Sequence, residues 1–119
     1  MRDMPEFPAF AHSADLGGHI YVCGMIGFED DFSRVIGGGV GAGTLQAFRH
    51  VEQILEYSGC KLADIGKVTV YMTDLGQVGA MNEAYLTLFD EGKTPVRTTV
   101  GCADLPLGAS VQFDCIAYR

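Results

Sequence analysis

Apolar and polar positions along the chain change period several times, and each change marks an element. Two β-prone apolar stretches, Phe10 to Ala14 and His19 to Met25, flank Asp15-Leu16-Gly17-Gly18, where a Gly-Gly tip after an aspartate predicts an antiparallel hairpin. Phe28 to Gly43 holds five of the sixteen glycines among acids and a serine and predicts a loop, either a mobile cover over a site or a surface bulge. Thr44 is then a candidate helix cap, and Leu45, Phe48, Val51, Ile54 and Leu55 recur at helical spacing until Ser58-Gly59. Ile65 to Thr73, rich in Val, Thr and Tyr, predicts a strand. A second amphipathic helix through Val78, Met81, Tyr85, Leu88 and Phe89 ends before Gly92. Two strands, Val96 to Cys102 and Ser110 to Tyr118, close the chain. The order β-β-α-β-α-β-β predicts an α+β layer with both helices on one face of a sheet.

Size and composition narrow the classes. A chain of 119 residues supports one domain, spanning 1–119. Hydrophobic residues make up 48% and charged ones only 19%, with no apolar run long enough to cross a bilayer, so apolar surface is expected to lie in a subunit interface. A formal net charge of -7 with eight lysines and arginines and no basic stripe argues against a nucleic-acid partner. No charged, apolar leader is present, which makes the cytoplasm the expected location.

Candidate chemistry is sparse. Cys23, Cys60, Cys102 and Cys115 stand far apart and are expected to be small buried hydrophobes. His12, His19 and His50 share no ligand spacing with Cys, Asp or Glu, so a metal site is not expected. The run Gly37 to Gly43 precedes a helix but lacks the lysine of a phosphate-binding loop, and it is expected to be a plain flexible loop. Arg97, within Thr94-Pro95-Val96-Arg97-Thr98-Thr99-Val100, is the conspicuous residue. Its fork of donors on a strand suits a two-pronged grip on a carboxylate, although the pattern alone favours a structural ion pair.

Motifs over nearly the whole chain add to this reading. They are Asp15-Leu16-Gly17 leading into Ile20-Tyr21-Val22-Cys23-Gly24, Glu56-Tyr57-Ser58-Gly59-Cys60, and Asp64 to Leu75. They continue with Met81-Asn82-Glu83-Ala84-Tyr85, Pro95 to Val100, and Leu105-Pro106-Leu107-Gly108-Ala109. In combination they resemble the Rid superfamily, also called YjgF-like or, in older usage, endoribonuclease L-PSP-like proteins. The resemblance implies a chorismate-mutase-like fold in a barrel-like homotrimer with a ligand cleft at each subunit boundary. It also implies a cofactor-free enamine or imine deaminase that releases ammonia and a keto acid from a small carboxylated metabolite.

Residue by residue, Arg97 matches the family's carboxylate-binding arginine and Gly24 its cleft glycine. Phe10 stands where deaminating members often carry tyrosine, and so can wall the cleft without donating a hydrogen bond. Thr99 stands where they often have cysteine, at a position used mainly through its main chain. The main departure is Gln112 in place of the glutamate that positions the hydrolytic water and shuttles its proton. An amide near neutral pH can only position. Asp114, two residues on and on the same strand face, is a candidate substitute carboxylate or an interface charge. The alternative reading is a Rid-like protein without deaminase activity that binds or transforms another carboxylated metabolite. A nuclease role has no basic groove or histidine pair to support it.

Overall fold

A computed structural model describes residues 4–119. Its elements in chain order are β1 (Ser13–Leu16), β2 (His19–Met25), α1 (Gly39–Tyr57), β3 (Ile65–Met72), α2 (Val78–Tyr85), β4 (Val96–Gly101) and β5 (Val111–Tyr118). The expected β-β-α-β-α-β-β order is therefore observed. The strands form one sheet in the order β1-β2-β5-β3-β4. All neighbours are antiparallel except β3 and β4, which run parallel because α2 carries the chain back between them. The hairpin turn is made by Gly17 and Gly18, at φ 67° and 93°, the left-handed conformation that such a two-residue turn requires.

Both helices pack on one sheet face. Val40, Ala47, Phe48, Val51, Ile54 and Leu55 of α1 are buried, as are Met81 and Tyr85 of α2. They meet Ile20, Val22, Val68, Val70, Met72, Val111, Phe113 and Cys115 from the sheet. Full burial of each large apolar side chain contributes roughly 1.5–3 kcal/mol, so this face dominates stability. The alternate positions, Thr69, Tyr71, Gln112, Asp114 and Ile116, are half-buried on the opposite face. The first helix stops at Gly59, at φ 77°, where the amides of Gly59 and Cys60 close back onto the carbonyls of Glu56 and Leu55.

Several boundaries differ from the sequence reading. The helix begins at Gly39 rather than after Thr44, so much of the glycine-rich run expected to be flexible loop is helical. Thr44 is buried inside the helix, its hydroxyl donating to the Val40 carbonyl at 2.8 Å, and it caps nothing. Ahead of the helix, Gly27 sits directly against it: a Cβ there would lie 2.9 Å from the backbone of Gly43, so this position requires glycine. The first strand runs from Ser13 to Leu16 instead of from Phe10 to Ala14, because Phe7 to Phe10 turn back on themselves in an isolated bridge. The second helix tightens after Tyr85 into a 3-10 turn over Leu86–Leu88. Cys60 and Cys115 are buried as expected, whereas Cys23 and Cys102 are half-buried, and all four are free thiols.

Candidate functional site

The residues singled out in the sequence fall into two groups on opposite faces of the sheet. Arg97 and Thr99 pair in register with Val68 and Val70, so their side chains share the helix-bearing face at the edge strand β4. The Arg97 guanidinium donates to Asn82 Oδ1 at 2.7 Å, and its carbon lies 5.0 Å from the centroid of the Tyr85 ring. A salt-bridging carboxylate is absent around Arg97 among the described residues. The neutral amide and the aromatic face hold the cation in place without neutralising its charge. Burial pushes the Tyr85 phenol up to about 12 against the opposing influence of Arg97, so the ring stays neutral beneath the guanidinium.

Gln112 lies on the other face, opposite Tyr71 of β3. Its neighbour across β2 is Gly24. The β2–β5 register passes from Val22↔Cys115 to Met25↔Phe113, so Cys23 and Gly24 together oppose Asp114 in a bulge. A Cβ on Gly24 would lie 2.5 Å from Gln112 Nε2 and 2.9 Å from its Cδ, so the glycine makes room for the carboxamide. The interruption of alternation between Val22 and Met25 is the sequence signal for this bulge.

Phe10, Gly24 and Gln112 open onto one cleft of about 360 Å³, which is also walled by Phe7, His12, Phe28, Phe32 and Leu107. The Phe28–Gly43 segment thus contributes to the cleft wall through Phe28 and Phe32, which stack at 4.3 Å. His12 is buried, its Nε2 facing the Pro5 carbonyl, and its Nδ1 has no partner. Sequence spacing offered no reason to join His12 and these phenylalanines, because they converge only through tertiary turns.

Asp114 shares the face of Gln112 but does not line this cleft. Its carboxylate raises the pKa of the Tyr71 phenol across the β3–β5 pair. It also adds to the burial that raises the Cys23 and Cys115 thiols, the latter to about 12, so neither thiol is an activated nucleophile. The described residues hold no group of three or more His, Cys, Asp or Glu side chains placed to bind a metal. They also include no helix long and apolar enough to cross a membrane.

Comparison with known proteins places this geometry. The profile of the family described as "Endoribonuclease L-PSP" matches residues 3–119. The chain belongs to that family, the Rid or YjgF-like proteins. A rat relative named 2-iminobutanoate/2-iminopropanoate deaminase is 32% identical over 111 residues, covering 93% of this chain and 80% of its own. The solved structure of RidA from an Antarctic Psychrobacter superposes with a TM-score of 0.91 at 28% identity, covering 100% of this chain and 96% of the other. The YjgF gene product of E. coli gives 0.90 at 30% identity, with 100% and 95% covered. Membership in the Rid family and its α+β fold are thus established, and at family level the chain groups with imine deaminases.

Proposed function

We propose that this Rid protein is a cofactor-free hydrolase of carboxylated imines and their enamine tautomers, working as a homotrimer whose sites form between subunits. The observation that carries the reading is Arg97, held on Asn82 and Tyr85 yet free of any carboxylate partner among the described residues. On this reading Arg97, with the main chain at Thr99, grips the substrate carboxylate from one subunit. Phe10, Gly24 and Gln112 of a neighbour enclose the reacting carbon. Two half-sites on opposite faces of one sheet can meet only when two copies of the chain come together. Such an assembly also covers exposed Tyr21, Val96 and Val100.

The chemistry needs water and position. Water held by the Gln112 carboxamide adds its oxygen to the imine carbon, and the imine nitrogen gains a proton to give a carbinolamine. The C–N bond then breaks, ammonia carries away the nitrogen, and the carbon becomes the carbonyl of a 2-keto acid. No electrons are exchanged with a third partner. Gln112 can accept or donate a hydrogen bond but cannot carry the proton, so solvent water relays it. Fixing the electrophile and the water together supplies the acceleration.

Gln112 also favours a second reading, a Rid protein that binds or transforms another carboxylated metabolite without efficient imine hydrolysis. Ammonia release from 2-aminoacrylate generated in situ decides between them. Wild type should accelerate release in proportion to its concentration, and Arg97→Ala should lose most of that effect. A wild-type rate no faster than the uncatalysed one at several protein concentrations would sink the hydrolase assignment, and equal acceleration by Arg97→Ala would remove Arg97 from the site.

A further inference from the structure

The cleft beside Gln112 is larger and more apolar than a two- or three-carbon imine needs. Its volume of about 360 Å³ lies within the ~300–1,000 Å³ of pockets that enclose drug-sized ligands. One wall is a continuous stack of rings: Phe28 on Phe32 at 4.3 Å, Phe32 on Phe7 at 6.1 Å, and Phe7 on Phe10 at 5.1 Å. His12 stands edge-on to three of them, 6.0 to 6.4 Å between centroids, with its ring anchored on the Pro5 carbonyl.

Backbone strain marks the same cleft. Phe32 at φ 60° and Leu107 at φ 56° are the two non-glycine residues with left-handed backbone among the described residues, and both line it. Such backbone is strained and persists where the surroundings hold it, commonly at ligand sites. Leu107 in addition leaves 59% of its surface exposed, an apolar wall without a protein partner in the subunit.

We propose that this pocket receives the side chain of the substrate, and that the preferred substrates are 2-imino acids with a bulky apolar side chain, above all an aromatic one. The inference rests on the imine-hydrolase reading and specifies its substrate class. The carboxylate end belongs to Arg97 and the imine carbon to Gln112, while the side chain extends along the ring stack. Offset stacking and edge contacts favour a flat ring over a methyl or ethyl group here.

An amino-acid oxidase supplies the test by generating imines in situ from phenylalanine, leucine and 2-aminobutyrate, with unreacted imine trapped by semicarbazide. The phenylalanine-derived imine should be hydrolysed with a kcat/KM roughly tenfold or more above that of the 2-aminobutyrate-derived one. In parallel, calorimetry should show phenylpyruvate binding more tightly than 2-oxobutanoate. Leu107→Gly, which removes the apolar wall while relieving its left-handed backbone, should fold normally and shrink both ratios. Equal or reversed preference, in turnover or in binding, overturns the pocket assignment. Failure to hydrolyse any imine while phenylpyruvate still binds preferentially would remove the hydrolase reading and leave the pocket standing.

Discussion

Arg97 and Gln112 project from opposite faces of one sheet: Arg97 beside Val68 under the helices, Gln112 beside Tyr71 on the other side. A single copy of the chain therefore cannot apply both to one small substrate. Arg97→Ala and Gln112→Ala should each be nearly inactive alone, yet regain activity when co-expressed. A shared site needs a neighbour of each kind in the right order, so random mixing should restore about a quarter of wild-type turnover. Purified mixed oligomers with no more activity than either parent would show that the site does not span subunits.

Replacing Gln112 with glutamate should increase imine hydrolysis. The two side chains are nearly isosteric, and Gly24 already leaves space for the Gln112 head. Restoring a group that can take and return a proton should raise kcat by roughly 10²–10⁴-fold and add an acid limb to the pH–rate profile. A flat profile with unchanged kcat would mean that proton transfer does not limit this site.

Gly24→Ala should separate folding from placement. The new Cβ would meet the end of a flexible side chain, 2.5 Å from Gln112 Nε2, so Gln112 gives way and the backbone need not. Thermal stability should shift little, while kcat/KM falls roughly ten- to a hundredfold as the carboxamide moves. A loss of melting temperature matching the loss of activity would instead point to backbone damage.

His50 should make folding acid-sensitive. It is buried, its Nε2 donates to the Phe28 carbonyl at 2.9 Å, and desolvation lowers its pKa below the ordinary 6.5. The unfolded chain then takes up the proton more readily. His50 thus favours folding above pH 6.5, and that contribution falls as pH drops toward the lowered native value, by at most about 1.4 kcal/mol per pH unit. Denaturant unfolding of wild type and His50→Gln at pH 7.5 and pH 5 should show the smaller acid loss in the variant. Identical losses would assign the acid sensitivity elsewhere.

Strands with one clearly apolar face were readable directly: His19–Met25 has the same bounds in sequence and structure, and Val111–Tyr118 falls within the stretch read from Ser110. The edge strand β4 was read at nearly its observed bounds, Val96 to Cys102 against Val96–Gly101, but its facing was not readable, because its alternation runs against expectation. Val96 and Val100 are exposed at 69% and 39%, while Arg97 and Thr99 turn toward the helices. An apolar-inward rule would place Arg97 on the wrong face. The family motifs supplied the identity of Arg97, Gly24 and Gln112 but not their separation into two half-sites, which follows from register. The aromatic wall stayed hidden because Phe7, Phe28 and Phe32 lie in segments without a period, and only the turn at Phe7 to Phe10 and the bridge between Phe28 and Val35 bring such segments to the cleft.

The strand order has a consequence for synthesis on the ribosome. The strand that joins β2 to β3 is β5, the last of the five to emerge. Until then the β1–β2 hairpin and the β3–α2–β4 unit can each form but have no shared strand to pair with, and the helix-facing apolar residues of both remain incompletely covered. Closure of the sheet is thus a late, non-local event, so the nascent chain should depend on chaperone protection until Val111–Tyr118 clears the exit tunnel.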